Sequence, residues 1–148
     1  MRIGFYIAKD NGITGKLIRG ITRSDISHCV LIFGLNLTFS SDPGIGTQFQ
    51  VITDLYDKER WIVYDLPWIS QYDQDKILAF CHQEMNCGYD YKGVILGSLN
   101  PLYQDKNKWF CSEICSVAIR PFTKGLTDFW YTPGGLYSAL QDVEVFNY

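Results

Sequence analysis

The nine residues Ile26-Ser27-His28-Cys29-Val30-Leu31-Ile32-Phe33-Gly34 constrain the fold of this chain more than any other stretch. Apolar side chains occupy both alternating faces, and a strand of that kind has to be covered on both sides, so it belongs inside a sheet. Gly34-Leu35-Asn36 reads as a hairpin connection, and Leu37 to Ser41 returns antiparallel beside the first strand. That return brings Ser40, Ser41 or Asp42 back beside His28. A histidine at the end of such a strand is as a rule a satisfied core residue. A polar neighbour that holds one ring nitrogen leaves the other for chemistry, provided a nucleophile stands nearby.

One candidate nucleophile exists. Trp109-Phe110-Cys111-Ser112-Glu113-Ile114-Cys115-Ser116-Val117-Ala118-Ile119 follows a polar loop from Pro101 to Lys108 and is stopped by Arg120-Pro121, because proline disfavours helix in the residue before it. This spacing predicts a helix with Cys111 in or just before its first turn. The free N–H groups and positive dipole end there favour a thiolate over a thiol, while Glu113 works against this with its own charge. The competing reading is structural: Cys111 as a small apolar residue on a core stripe with Cys115, Ala118 and Ile119.

The rest of the chain supplies a sheet and its cover. Arg2 to Ala8 alternates as a strand with one buried face, Asp10-Asn11-Gly12 turns, and Ile13, Leu17, Ile18 and Ile21 recur at helical spacing through Thr22. Asp42-Pro43-Gly44-Ile45-Gly46 is a glycine-bearing turn without the spacing of a phosphate loop. Thr47 to Thr53 and Arg60 to Leu66 read as further strands, with Asp57-Lys58-Glu59-Arg60 a solvated turn between them. Ile77, Leu78, Phe80, Cys81 and Met85 mark a helix over Asp73 to Cys87, with His82 on its outer side. Gly88-Tyr89-Asp90-Tyr91-Lys92-Gly93 leads into the apolar segment Val94 to Leu99. In the tail, Pro133 opens a helix through Leu140, and Val143-Glu144-Val145-Phe146 alternates like a strand. Meandering strands with helices packed to one side make an α+β fold, an antiparallel sheet against helices.

Several function classes are excluded by composition. A chain of 148 residues that is 47% apolar fits one domain spanning 1–148, since a length near 150 supports a single core. The net charge of −3, without a basic cluster, argues against a nucleic-acid partner and against an acidic membrane surface. No apolar run approaches the roughly 20 residues of a spanning helix. Met1-Arg2 leads straight into the first strand, so no signal peptide is expected and the expected location is cytoplasmic. Five cysteines are an odd number with no C-x-x-C pair, which predicts free thiols in a reducing compartment rather than disulfides or a structural metal. No cofactor motif is present.

Taken together, several of these motifs carry a resemblance. Ser27-His28 opening an apolar strand, Phe39-Ser40-Ser41 before a glycine turn, Gly88-Tyr89-Asp90-Tyr91 and Trp109-Phe110-Cys111-Ser112-Glu113 resemble the circularly permuted NlpC-like cysteine peptidases. Within that superfamily the chain is most similar to the YiiX-like group and to a set of small bacteriophage proteins. The resemblance covers about Ile3 to Leu140.

It implies a permuted papain-like fold in which the histidine strand precedes the cysteine helix, the order seen here. It implies Cys111 as nucleophile and His28 as general base. The third position falls on the strand after the histidine, where related groups often carry Glu or His and this chain offers Ser40, with Ser41 and Asp42 as alternatives. The implied activity is that of a cysteine peptidase or amidase, cleaving an amide in a peptide or peptidoglycan-like substrate through an acyl-enzyme, without cofactor. If the chain is phage-encoded, the location is the host cytoplasm or the virion. Two other functions follow from the same likeness: a lipid acyltransferase or thioesterase, since lecithin:retinol acyltransferase resembles this fold, and a non-catalytic phage structural or host-interaction protein.

Overall fold

The computed structural model describes residues 1–7, 24–96, 107–127 and 131–146. The helix expected over 13–22, the end of the segment expected to Leu99 and most of the loop before Lys108 lie outside them. Five antiparallel strands form the main sheet: β1 (Arg2–Ile7), β2 (Ile26–Phe33), β3 (Leu37–Asp42), β4 (Gly46–Val51) and β5 (Trp61–Asp65). Their spatial order is β4-β3-β2-β1-β5, which puts β2 in the middle, as its two apolar faces require. Among the described residues, four α-helices follow the first five strands in sequence: α1 (Gln71–Gln83), α2 (Tyr91–Leu96), α3 (Cys111–Ile119) and α4 (Pro133–Phe146). A two-stranded parallel ribbon, β6 (Gly88–Tyr89) with β7 (Lys108–Trp109), lies beside them.

The two faces of β2 serve two cores. Cys29, Leu31 and Phe33 join Ile3, Phe5 and Phe39 in the main core, which is closed by Ile77 and Cys81 of α1, Ile114, Cys115 and Ile119 of α3, and Leu136 and Leu140 of α4. Val30 and Ile32 face the other way, onto Leu55 and Trp61. At roughly 1.5–3 kcal/mol for each large apolar side chain removed from water, the helix-covered face contributes most of the stabilisation. The sheet is therefore anchored around the strand that carries His28.

Regular pairing of β1 with β2 runs from Arg2↔Ile32 to Tyr6↔His28 and then slips, Ile7 standing opposite Ile26. The bulge lets Ile26 join the main core although it is two residues from His28. It sits next to the histidine, at the end of the sheet where α3 begins.

Two expected elements differ. The strand expected at Val143–Phe146 is the last turn of α4 instead, because Leu136, Leu140 and Val143 form one buried helical stripe that outweighs a four-residue alternation. Pro133 opens this helix as expected, with the Thr132 hydroxyl accepting from the Gly135 N–H at 2.9 Å. The helix expected over Asp73 to Cys87 starts earlier, capped by Ser70, and stops at Gln83, leaving Met85 exposed. Its exit is drawn onto β4: Thr47 accepts from the Asn86 N–H and donates to the Cys87 carbonyl, both at 2.9 Å. Asn86 takes a left-handed φ of 65° to make that turn. Gly46 is required at the same contact, since a Cβ there would stand 2.0 Å from the Cys87 carbonyl oxygen.

Candidate active site

Cys111 is the first residue of α3, and its side chain is 1% exposed. What fixes its position is the segment before it. The Trp109 carbonyl accepts from the Asp90 N–H at 3.1 Å and from the Ser41 hydroxyl at 2.7 Å. The Phe110 N–H donates to the Glu113 carboxylate at 3.2 Å, so the residue that seemed to weaken the helix start holds its first turn in place. Asp90 also accepts from the Gly93 N–H at 2.8 Å and opens α2. A Cβ on Gly93 would lie 2.3 Å from that carboxylate, which explains the spacing within Gly88-Tyr89-Asp90-Tyr91-Lys92-Gly93.

His28 comes to Cys111 from β2, near enough that each group shifts the proton affinity of the other. On its other side, Nε2 lies 3.3 Å from Asp42 Oδ1, with the two side chains 21% and 22% exposed. The second oxygen of Asp42 accepts from the Gln50 side-chain amide. The structure thus brings together His28, Cys111 and Asp42, two of them in the pairing that the sequence suggests.

Ser40 does not make the expected contact. Its hydroxyl donates to the Cys29 main-chain carbonyl at 2.7 Å, and Ser41 is committed to Trp109. The reason is register. Leu31 pairs with Phe39 and Phe33 with Leu37, and the same pairing carried toward the strand ends sets Asp42 across from His28. The sequence shows that relation only once the hairpin pairing is known. Asp42 was otherwise legible as the first residue of the Pro43-Gly44 turn.

The electrostatics follow from this packing. Burial opposes ionisation of Cys111, but hydrogen bonds from Cys29, together with the charge and hydrogen bond of His28, overcome it and lower the thiol to about 5. Burial likewise disfavours a charged His28, yet Cys111 and then Asp42 raise it above its ordinary value. Both shifts favour a thiolate–imidazolium pair. Cys29 goes the other way: burial, and then the neighbouring thiols of Cys111 and Cys115, keep it protonated. This second thiol against the first was not foreseen.

A cavity of about 300 Å³ opens beside His28 and Asp42, lined also by Tyr6, Ser27, Pro43, Trp61 and Tyr89. Its three aromatic walls, Tyr6, Trp61 and Tyr89, come from three different strands, so sequence spacing does not reveal them. His82, expected at the surface, is exposed and stacks its ring 4.8 Å from Phe49. All five cysteines are free. Among the described residues no three histidine, cysteine or acidic side chains form a set able to hold a metal ion, and no helix is long and apolar enough to cross a membrane.

No family model matches the chain. Among curated proteins, it is similar to the "Probable lipoprotein peptidase YaeF" of Escherichia coli (strain K12), with 24% identity over 171 aligned positions covering 91% of this chain. The chain spans 62% of that relative's length. Nothing in the match bears on the bacteriophage part of the resemblance.

Proposed function

We propose that this chain is a cysteine peptidase or amidase of the permuted papain-like kind. The observation that supports it most is His28 standing between the Cys111 thiol and the Asp42 carboxylate, at the start of a buried helix. With Nε2 on Asp42, Nδ1 is the nitrogen left for sulfur. The roles follow from that arrangement: Cys111 as nucleophile, His28 as proton carrier, Asp42 as the group that orients the ring and favours its cationic form.

In the reaction, the Cys111 thiolate attacks the amide carbonyl carbon and a C–S bond forms. Main-chain N–H groups of the first turn of α3 face the developing oxyanion. The His28 imidazolium gives its Nδ1 proton to the leaving amine as the C–N bond breaks. Water then attacks the thioester, with neutral His28 taking its proton, and the acid product leaves as Cys111 is restored. The substrate class is a peptide or a peptidoglycan-like amide.

The test is an activity-based thiol probe with mass-spectrometric mapping of the labelled site, run beside hydrolysis of short peptide and muropeptide amides. Labelling at Cys111, together with amide turnover abolished by Cys111→Ser and His28→Ala, supports the reading. Turnover surviving in Cys111→Ser overturns it. The 1% exposure of Cys111 favours a second reading, a fold retained without turnover. An unlabelled Cys111 in folded protein with no amide turnover decides for that one.

A further inference from the structure

We propose that the cavity beside His28 is a specificity subsite for one large apolar or aromatic side chain of the substrate. The amide cleaved then lies in a protein-like peptide rather than in a cell-wall stem peptide, whose side chains are small or charged. This rests on Cys111 and His28 acting together on an amide, and it narrows their substrate. The floor of the cavity is a row across the sheet: Trp61 of β5 stands opposite Tyr6 of β1, and Tyr6 stands opposite His28 of β2. Residues opposite one another in antiparallel strands point to the same face, so all three line the cavity together. A group seated on Tyr6 and Trp61 is thereby side by side with the imidazole.

Tyr89 ties the cavity to the nucleophile. Its ring meets that of Phe110 edge-on at 6.0 Å, and Phe110 immediately precedes Cys111. The Tyr6 and Trp61 rings meet at 5.1 Å with 62° between their planes, a corner that offers both a face and an edge to a third ring. Charge decides between occupants. Asp42 is the one acidic wall among the described residues, and its two oxygens are taken, one by His28 at 3.3 Å and the other by the Gln50 side-chain amide. A lysine side chain would find no free carboxylate there, and would meet an imidazole that Cys111 and Asp42 both draw toward its cationic form. A glutamate would face Asp42, with no Lys or Arg lining the cavity among the described residues. A volume of about 300 Å³ stands at the small end of ligand sites, room for one ring rather than for a long acyl chain.

The experiment is peptide binding to Cys111→Ser protein, followed by NMR at the Trp61 indole N–H, whose signal is identified by its loss in Trp61→Phe. The probes are acetyl-Gly-X-Gly-amides with Phe, Leu, Ala, Lys or Glu at X. The Phe and Leu peptides should bind roughly ten- to a hundredfold tighter than the Ala peptide, the effect of one large apolar side chain entering a pocket. They should also move the Trp61 signal. Tyr6→Ala should cut the Phe-to-Ala ratio several-fold. Phe and Leu peptides no tighter than Ala, a Lys or Glu peptide tighter than both, an unmoved Trp61 signal, or a ratio unchanged in Tyr6→Ala overturns the proposal. Should Tyr6→Ala not fold, the order of the peptides on Cys111→Ser protein decides alone. Hydrolysis of the same peptides by the wild-type chain separates the two readings. A Phe preference in binding with no peptide hydrolysed removes the peptidase reading alone, and hydrolysis at equal rates for Phe and Ala removes the subsite alone.

Discussion

The Ser41 hydroxyl donates to the Trp109 carbonyl at 2.7 Å, tying the strand that carries Asp42 to the segment that leads into Cys111. This single bond joins two parts of the site that lie far apart in sequence. Ser41→Ala should cost about 1 kcal/mol, because the Trp109 carbonyl keeps its Asp90 N–H partner. Thermal unfolding should fall by about 3 °C. Amide turnover should drop several-fold, more than the stability loss accounts for, since a shifted helix start misplaces the sulfur. An unchanged rate in Ser41→Ala would show that the bond serves the fold alone.

Asp42 and Ser40 should separate cleanly by mutation. Asp42→Ala removes the carboxylate 3.3 Å from His28 and should lower kcat/KM by about ten- to a hundredfold. Ser40→Ala removes only a bond to the Cys29 carbonyl and should cost less than tenfold. Steady-state kinetics on one amide substrate checks both. The reverse ranking would return the orienting role to Ser40.

The pH dependence has a defined sign. The thiolate of Cys111 contributes stability fully above the ordinary thiol value of 9.0, and that contribution is lost as pH falls through about 5. The His28 cation contributes below 6.5, and its contribution is lost as pH rises through its raised value. The ion pair is populated between these limits, from about 5 to above 6.5. Rate against pH should therefore form a bell with its acid limb near 5, and in His28→Ala the Cys111 titration, read by thiolate absorbance, should move upward. An acid limb near the ordinary thiol value would show that the pair does not form.

Gly93→Ala tests the start of α2. The new Cβ would stand 2.3 Å from the Asp90 carboxylate, which must then leave the Gly93 N–H. A loss of about 1–2 kcal/mol is expected in denaturant unfolding, close to the loss from Asp90→Ala. Combining the two should add little, because both remove the same bond.

How much of this was legible depends on the kind of signal. β2 announced itself as interior because both its faces are apolar, and α3 because a polar loop and a proline bracket it. The tail misled: Val143 to Phe146 alternates, but Leu136 and Leu140 already set a helical stripe that Val143 extends. At the site, Cys111 and His28 could be paired through a motif. The choice among Ser40, Ser41 and Asp42 could not, because adjacent strand residues point to opposite faces and a one-residue change of register changes the answer.

His28 and Cys111 lie in the two halves of the chain, and the acidity of the thiol comes from contacts made only when α3 docks on β2. During synthesis the histidine strand is made well before the cysteine, and closure of so long a span comes late in assembly. Until then Cys111 is an ordinary thiol, protonated at neutral pH, with no imidazole or second thiol against it. The nascent chain thus carries no armed sulfur that could react with itself or with neighbouring chains. The thiol becomes acidic only with completion of the core.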